Sequence, residues 1–538
     1  YPQIILYEFM ILLVMLIIFD RKFFIQPRRF LTLGLFLALG IGLASIQILP
    51  GFELIRHAQR NLESLSSELA FIPWQSLIML LAPDYFGNHS TYNYWGPAHY
   101  TIASGYSGII TLSLAIVGTL TFFRQKGVIL AICIIGIATV LGFENPLSQV
   151  LRNNNFLGLQ AASNQRILLF FNLGASIMAA FGLDYLLSKE VSIKKIIKAL
   201  IFPIFLFLSL SLFTVISLYL TGQENLKVSL RNLAYPFLFL FSGVILLFLI
   251  AKIKKLSKYL VIILICVSLV ELFRFGWKFT PFSPKKLIFP ETPITRYLQE
   301  QVRPFRTTGS SIIPTNLLMP YGLETVEGYD AVYPVNTAKF LNAINTNSPT
   351  GNLGRYGTIN NFDSSLINIV ATKYIVISKN ENFDVARFEK VFEDGSLIVL
   401  KNKKSLPRAL MFYDWQVEAE YTALSRLLDK SFPFENKIVL ESSPHILKSK
   451  GSATVNLTEY ETKKIIKVKT DSPGLLYIAD SWYPGWKAYV NGKKANILKA
   501  NFNFMAIPVE ETGNFIVKVD YQPDSFRIGS LISVASFM

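Results

Sequence analysis

The chain has 538 residues and a formal charge of +16; 51% of its residues are hydrophobic and 16% are charged. Soluble domains average about 25% charged residues, so this composition favours contact with lipid. The two cysteines, Cys133 and Cys266, both fall in hydrophobic runs. This placement excludes a disulfide framework and a cysteine-based metal site from the polar half of the chain.

Hydrophobic runs dominate the first 275 residues and predict eight helices that cross a lipid bilayer. Irregular backbone cannot face lipid, so each run must be helical. Runs slightly shorter than the roughly 20 residues of an ideal span are accommodated by tilt or by flanking residues. The runs cover residues 3–19, 30–49, 106–123, 127–142, 166–187, 197–220, 234–251 and 259–275.

Lysine and arginine predict the orientation of these helices. Alternate loops carry 14 cations against two acids, whereas the intervening loops are close to balanced in sign. The positive-inside rule places the cationic loops in the cytoplasm and residues 276–525 on the other side of the membrane. Topology thus accounts for most of the charge, and nucleic-acid binding is not expected. The cationic loops are 20–29, 124–126, 188–198 and 252–258.

The outer loop 50–105 contains most of the candidate site residues. One interpretation is a re-entrant interfacial segment with an aromatic belt. The other is a site in which aromatic rings stack on a sugar while Arg56, Arg60 or Arg166 holds a phosphate. Composition alone favours the first interpretation. The candidate donor or acceptor contacts are Glu53, Arg56, Asp84, Tyr94, Trp95 and Arg166.

Two carboxylates, Glu8 and Glu271, lie in or near the outer ends of hydrophobic runs. A carboxylate inside a membrane is a functional candidate by default, although Arg274 could pair with Glu271. The four histidines show no metal-ligand spacing, and no phosphate-binding or nucleophile motif is present. The sequence therefore identifies no metal ligand and no cofactor, and a divalent cation remains one candidate cofactor.

The polar half predicts two extracytoplasmic regions. Residues 276–435 mix helix and strand signals, with a helix at 335–345 and a hairpin around Asp394-Gly395. Residues 436–525 alternate in the manner of strands with one buried face and contain the hairpin signal Asn491-Gly492, which predicts a β-sandwich.

Two segments of this half have further interpretations. The aromatic stretch 482–486 is either a carbohydrate platform or part of the core, and core is the commoner outcome for such residues. Residues 526–538 look like the beginning of a further transmembrane helix, and both ends of the chain look cut.

Three stretches resemble the YfhO family of bacterial membrane proteins. Residues 479–492, ADSWYPGWKAYVNG, resemble its YYPGWKAYVDG signature, and the match continues at 501–509 and 521–529. Residues 321–330, YGLETVEGYD, resemble its YGLESVRGYD stretch, and Pro2-Gln3 resembles the end of a GHPQ element. The resemblance spans essentially the whole chain, and the segment around 479–492 is its most specific part.

The resemblance implies a GT-C-like architecture: a polytopic α-helical membrane protein with an extracytoplasmic α+β region and a C-terminal β-sandwich. It also implies a glycosyltransferase that takes a sugar from a polyprenyl-phosphate donor and transfers it to a cell-envelope polymer, as in teichoic acid glycosylation. In the GT-C pattern the catalytic carboxylate lies in the first outer loop, which would precede Tyr1. No residue here is therefore assigned as the base, and this chain alone is expected to be inactive.

Two other classes stay open. A transporter or lipid-carrier flippase would favour broken helices at matched positions of an internal repeat, and no such repeat is evident. A membrane-anchored glycan-binding scaffold needs far fewer than eight helices, because one suffices for anchoring. A shaped outer cavity with convergent charge would separate the enzyme from the scaffold, and a path through the membrane would favour the transporter.

Overall fold

The computed structural model describes residues 2–59, 70–97, 99–102, 105–161, 163–277, 282–309, 312–351, 353–459 and 462–538. The chain divides into two compact units. The first, called the helical unit, consists of Tyr1–Thr32 and Ser64–Ser283. The second, called the sheet unit, consists of Leu33–Glu63 and Pro284–Met538. The sequence prediction assigned residues 33–63 to the transmembrane domain 1–275, whereas their contacts group them with the sheet unit.

The N-terminal half is helical wherever a hydrophobic run was predicted. Most of these helices are apolar on all sides, which fits burial in lipid or in a bundle core, whereas the short α6 and α9 are amphipathic. The helices are α1 (Pro2–Phe19), α2 (Pro27–Leu43), α3 (Ser45–His57), α4 (Ile109–Phe122), α5 (Lys126–Gly142), α6 (Pro146–Asn153), α7 (Leu168–Leu187), α8 (Ile193–Thr221), α9 (Glu224–Asn232), α10 (Ala234–Lys252) and α11 (Ser257–Trp277).

Four helical stretches in the described part of the chain are long and apolar enough to cross a membrane: Asn164–Leu187, Ile193–Thr221, Glu224–Lys252 and Lys254–Trp277. The α2–α3 pair, bent by 70°, brings the number to five if it forms one span. The helices α1, α4 and α5 are apolar but shorter. The membrane character predicted from the sequence is confirmed, and the total of eight spans stays a prediction.

The helices α4 and α7 touch backbone to backbone. A Cβ atom on Gly118 would lie 2.1 Å from the carbonyl oxygen of Met178, and one on Gly182 would lie 2.1 Å from that of Leu114. Small residues allow this approach, which is how helices gain packing energy in lipid without a hydrophobic driving force. The glycine pair therefore fixes one close contact of the helical unit.

Among its described residues, the sheet unit contains the second part of α2, the helix α3 and five further α-helices: α12 (Pro293–Gln299), α13 (Val335–Thr346), α14 (Leu366–Ile369), α15 (Glu420–Leu428) and α16 (Asp524–Phe537). Its strands are β1 (Arg306–Thr308), β2 (Gly328–Tyr329), β3 (Tyr356–Gly357), β4 (Thr372–Ser378), β5 (Phe388–Asp394), β6 (Leu397–Asn402), β7 (Ala409–Phe412), β8 (Asp414–Val417), β9 (Lys437–Leu440), β10 (Ala453–Glu459), β11 (Lys463–Thr470), β12 (Gly474–Ser481), β13 (Trp486–Val490), β14 (Lys493–Ala495), β15 (Leu498–Ala500), β16 (Phe504–Val509) and β17 (Gly513–Tyr521).

The first part of this unit is built on a four-stranded sheet with the order β1-β4-β6-β5, beside the short pair β2-β3. The predicted hairpin is confirmed, because β5 and β6 pair antiparallel up to Asp394 and Leu397. Gly395 takes the positive φ of +58° that this tight turn requires. The predicted helix 335–345 is also present as α13.

Two sheets form the β-rich remainder. One has the order β10-β11-β17-β13-β14 and the other β7-β12-β16-β15-β9-β8. Buried side chains from both, including Ile466, Val517, Ile478 and Met505, share one core, as the predicted sandwich requires. The β-rich part begins before the predicted boundary at residue 436. The strands β7 and β8 precede that boundary but belong to the second sheet, since β7 pairs with β12 and β8 pairs with β9.

The predicted turn at Asn491-Gly492 is confirmed. It joins β13 to β14, and its two central residues have φ values of +48° and +83°. Both positive values are typical of a two-residue type I′ hairpin.

The last helix, α16, packs on α3. A Cβ atom on Gly529 would lie 2.4 Å from the carbonyl oxygen of Ser45. The backbone N–H of Ile46 donates to Ser533 Oγ at 2.9 Å. The apolar run predicted at 526–538 is thus a helix, and a small-residue face places it against another apolar helix.

Candidate functional site

An apolar cavity of about 930 Å³ lies within the helical unit. Its walls come from α4, α5, α7 and α8, together with the 3₁₀ helix Trp74–Leu80 of the long outer loop. Thr119 and Ser209 carry the polar side chains among the described residues that line it. Thr119 Oγ1 donates to the carbonyl of Ala115 at 2.8 Å, so that hydroxyl is already used within its own helix.

A polar loop follows one wall of the cavity directly. Leu81 lines the cavity, and Tyr85, four residues later, shares a hydrogen bond of 2.8 Å with Thr214 on α8. Ser229 on α9 donates to the carbonyl of Tyr85 at 2.6 Å, and Asn232 donates to the carbonyl of Asp84 at 2.7 Å. These bonds fix the loop on α8 and α9, next to the cavity residue Phe213.

The carboxylate of Asp84 is buried in this loop and organises it. Its Oδ1 accepts from Asn88 Nδ2 and from Tyr100 Oη, each at 2.9 Å. Burial, then the nearby charge of Asp84, raises the pKa of Tyr100, which therefore stays a donor. A charged acceptor with two donors is well stabilised. Asp84, predicted as a substrate contact, thus shapes the loop beside the cavity.

Two further predicted site residues, Tyr94 and Trp95, lie in the same loop as Asp84. The ring of Tyr94 meets that of Tyr100 edge-on at 5.3 Å, and its hydroxyl donates to the carbonyl of Pro97 at 2.9 Å. Burial raises the pKa of Tyr94 to about 12. Trp95 packs edge-on against Phe86 at 5.0 Å. Within the described chain, the buried Nε1 of Trp95 has no hydrogen-bond partner.

Arg166 belongs to a second polar group of the helical unit. It is exposed in the 3₁₀ helix Asn164–Ile167. Its neighbour Asn164 is buried and accepts through Oδ1 from Gln3 Nε2 at 3.1 Å and from Tyr7 Oη at 3.0 Å. Gln3 also donates to the carbonyl of Ser163 at 2.8 Å. Two stretches far apart in sequence, around Gln3 and Asn164, therefore meet beside Arg166.

Glu53 and Arg56 lie on α3 and so belong to the sheet unit rather than to the unit that holds the other four candidates. Glu53 is half-buried near Tyr483, whose pKa is raised to about 12 by burial and then by the charge of Glu53. The Arg56 guanidinium lies 4.3 Å from the centre of the Phe52 ring. Arg60, which was predicted with Arg56 and Arg166 as a candidate phosphate contact, lies outside the described residues.

Glu271 has partners other than the predicted Arg274. Its Oε1 accepts from the Tyr106 hydroxyl and from the backbone N–H of Ile109 at 2.6 Å. Gly108, directly before α4, has no side chain to cap this helix, and Glu271 supplies the capping acceptor instead. Arg274 instead lies 3.6 Å from the centre of the Tyr235 ring. The geometry gives Glu271 a structural role, and Glu8 is exposed on α1.

A buried ionic cluster in the sheet unit was not predicted from the sequence. Asp480 accepts from Arg306, Arg408 and Lys464, and Arg408 also contacts Glu324. Burial alone would raise the pKa of Asp480, but the three cations lower it overall. No local sequence signal could have identified this group, because the five residues come from five separate segments.

The aromatic stretch 482–486 is part of the core rather than an open carbohydrate platform. Trp482 and Trp486 are partly buried and pack against the core of the sandwich. Trp486 also lies 5.1 Å from Tyr521 and 5.6 Å from the ammonium group of Lys464. These contacts use ring faces that a carbohydrate platform would leave open.

The described part of the chain contains no group of three or more His, Cys, Asp or Glu side chains that could hold a metal ion. Arginine, amide and indole donors dominate the polar groups around the outer loops instead. Such donors can bind phosphate and hydroxyl oxygens without a metal.

Comparison with known protein families identifies a match in the C-terminal part of the chain. The family model described as "Bacterial membrane protein YfhO" matches residues 429–533. A search of the curated proteins and a search of the solved structures found no match. The matched residues include the segment 479–492, on which the predicted resemblance chiefly depends. That resemblance is confirmed over residues 429–533, and the chain is consistent with a member of the YfhO family of bacterial membrane proteins.

Proposed function

We propose that this protein is a membrane glycosyltransferase that transfers a sugar from a polyprenyl-phosphate donor to a cell-envelope polymer of the teichoic-acid type. The observation that carries the proposal is the apolar cavity of about 930 Å³ with a polar, aromatic loop at its wall. A polyprenyl-phosphate sugar likewise has an apolar part and a polar part, because its long hydrocarbon chain ends in a charged phosphate and a hydroxylated ring.

The cavity suits the hydrocarbon part of such a donor. Its size lies at the upper end of the range of about 300–1,000 Å³ that is usual for small-molecule sites. Its lining is almost wholly aliphatic and aromatic, so it offers little to a sugar or a phosphate. Dispersion contacts with this lining would stabilise an isoprenoid chain that enters from the bilayer.

The polar groups of the helical unit suit the head of the donor. The Nε1 of Trp95 is a buried donor without a partner in the described chain, and Tyr94 and Asp84 are close to it in the same loop. Arg166 is exposed on its short helix and is proposed to bind the phosphate, because guanidinium matches phosphate oxygens in two hydrogen bonds. Glu53 and Arg56 stay proposed donor or acceptor contacts from the sheet unit.

The proposed orientation follows from the lysine and arginine distribution. The cationic loops are proposed to face the cytoplasm, and the loop 50–105 and residues 276–525 to face the other side. Transfer would then occur at the outer face of the cell membrane, where an envelope polymer is accessible. The catalytic base is not assigned to any residue of this chain.

One observation favours a second candidate, a lipid-carrier flippase or transporter. The helices α2 and α3 are bent by 70° at Ala44, and broken helices are common in transporters. A flippase would move the same lipid without forming a new glycosidic bond. Product chemistry therefore separates the two candidates, even though both would use the apolar cavity.

The test uses membranes that contain the full-length protein and a polyprenyl-phosphate donor with a labelled sugar. The expected result is label in envelope polymer, reduced about tenfold or more by Arg166→Ala or Glu53→Ala. Arg231→Ala, at an exposed position on α9, is the matched control and should leave transfer unchanged. Movement of intact labelled lipid between leaflets without transfer would support the flippase instead. No transfer from several sugar donors by folded protein would contradict the proposal.

A further inference from the structure

A polar cleft of about 670 Å³ lies in the sheet unit, wholly within the residues matched by the family model. It is bounded by the segment 442–445 after β9, by β14 with its connection to β15, and by the turn between β16 and β17. The cleft is separate from the stretch 482–486, which packs into the core. None of the candidate site residues described above lines it.

Two cations and two carboxylates line this cleft: Lys493, Lys494, Glu510 and Glu511. All four are exposed, and within the described chain none of them makes an ion pair or a side-chain hydrogen bond. Lysine and glutamate side chains in one cleft normally gain little by pairing at the surface. Here they leave both donors and acceptors for a ligand, and their formal charges cancel.

The floor of the cleft is apolar and firmly held. Ile497 and Phe515 are partly buried and pack against the core of the sandwich. Leu498 packs against the neighbouring core cluster, and Pro508 also lines the cleft. Exposed Asn496 adds an amide at the rim. A ligand here would meet rigid apolar patches below and flexible polar groups at its edges.

This arrangement favours neither a polyanion nor a polycation. A polyanion would meet Glu510 and Glu511 and a polycation would meet Lys493 and Lys494, so repulsion offsets attraction for either. A peptide could add to the edge strand β14, but β14 has only three residues and two of them are lysines. Short edges rich in lysine disfavour pairing with another strand.

We propose that the cleft binds an uncharged oligosaccharide several sugar units long. Sugar hydroxyl groups would bond to the lysine, glutamate and asparagine side chains, while the C–H faces of the rings would cover Ile497 and Leu498. The binding site stands on its own geometry. It does not rest on the proposed function.

The test measures binding rather than transfer, so that its failure differs from failure of the glycosyltransferase proposal. The full chain in lipid nanodiscs is titrated against fluorescent chitohexaose, maltohexaose and cellohexaose, with polyphosphate as the charged comparison. Asn496→Trp fills the cleft at an exposed position. Asn456→Trp, on the exposed face of β10, is the matched control, and melting temperatures confirm that both variants are folded.

At least one neutral hexasaccharide is expected to bind, with affinity that changes little with salt because no net charge is neutralised. Asn496→Trp should weaken that binding about tenfold or more, and Asn456→Trp should keep it within about twofold. Binding of none of the three sugars, binding of polyphosphate alone, or equal binding by both tryptophan variants would overturn the proposal. Sugar transfer measured in the same variants reports separately on the proposed function.

Discussion

Asp480 and Arg408 form a buried ion pair in which Asp480 Oδ1 accepts from Arg408 Nη2 at 2.7 Å. Arg306 donates to the same oxygen at 2.7 Å, and Lys464 lies 2.8 Å from the other. Glu324 contacts Arg408 from the stretch 321–330, and Asp480 lies in the stretch 479–492. Two of the three stretches that carry the family resemblance are therefore joined through one charge cluster.

Asp480→Asn should destabilise the sheet unit at pH 7 by about 3–5 kcal/mol, because it leaves buried cations without their counter-ion. The pKa of Asp480 is lowered in the folded chain, so the stabilisation is complete above the unfolded value of about 3.9 and fades as the pH falls further. Melting curves at several pH values should show the difference between wild type and variant narrowing below about pH 4. Glu389→Gln, on the exposed face of β5, is the control and should change little.

Glu271→Gln should fold and keep its activity, whereas Glu271→Ala should lose stability. The glutamine amide oxygen can still accept from Tyr106 and from the N–H of Ile109, but alanine leaves both buried donors without this acceptor. That loss costs about 1–3 kcal/mol for each donor. Thermal unfolding in detergent and sugar transfer are measured side by side. Loss of transfer in a fully stable Glu271→Gln variant would show that the carboxylate has a chemical role.

Gly182→Ala should lower the yield and melting temperature of the folded protein. The new methyl group would lie within 2.1 Å of the Leu114 carbonyl oxygen and would force α4 and α7 apart. Gly136→Ala is a matched control, because nothing lies within 4 Å of a Cβ atom at that position on α5. Size-exclusion chromatography before and after heating compares the two. Equal behaviour would mean that the helices do not cross at the glycine pair.

Local patterns predicted the local structure well. The hairpins at Asp394-Gly395 and Asn491-Gly492 formed as expected, because positive φ at these residues depends on only a few neighbours in the chain. The strand β17 follows the same reasoning, with Val517 and Val519 buried and Ile516 and Lys518 exposed. Hydrophobic runs likewise predicted the helices, because a backbone in lipid must form its hydrogen bonds within the segment itself.

Contacts between distant segments were not predictable in the same way. Arg274 is three residues from Glu271 and looked like its partner, yet Tyr106, 165 residues away, holds the carboxylate. The cavity is another case, because its walls combine four helices and a 3₁₀ segment that show no common motif. The placement of the six candidate residues in two units also follows from the path of the chain at residues 33–63, which no periodicity reports.

The most direct test of the account fills the apolar cavity and measures sugar transfer. Ser209 is an exposed polar residue that lines the cavity on α8, so Ser209→Trp should occupy the proposed position of the lipid chain without disturbing the core. Leu208→Trp places the same ring about 100° around the helix, at a residue that is 55% exposed, and serves as the control. Initial rates of transfer from a labelled polyprenyl-phosphate sugar are compared in folded protein. The account predicts a rate reduced about tenfold or more for Ser209→Trp and unchanged for Leu208→Trp; equal rates in the two variants would contradict it.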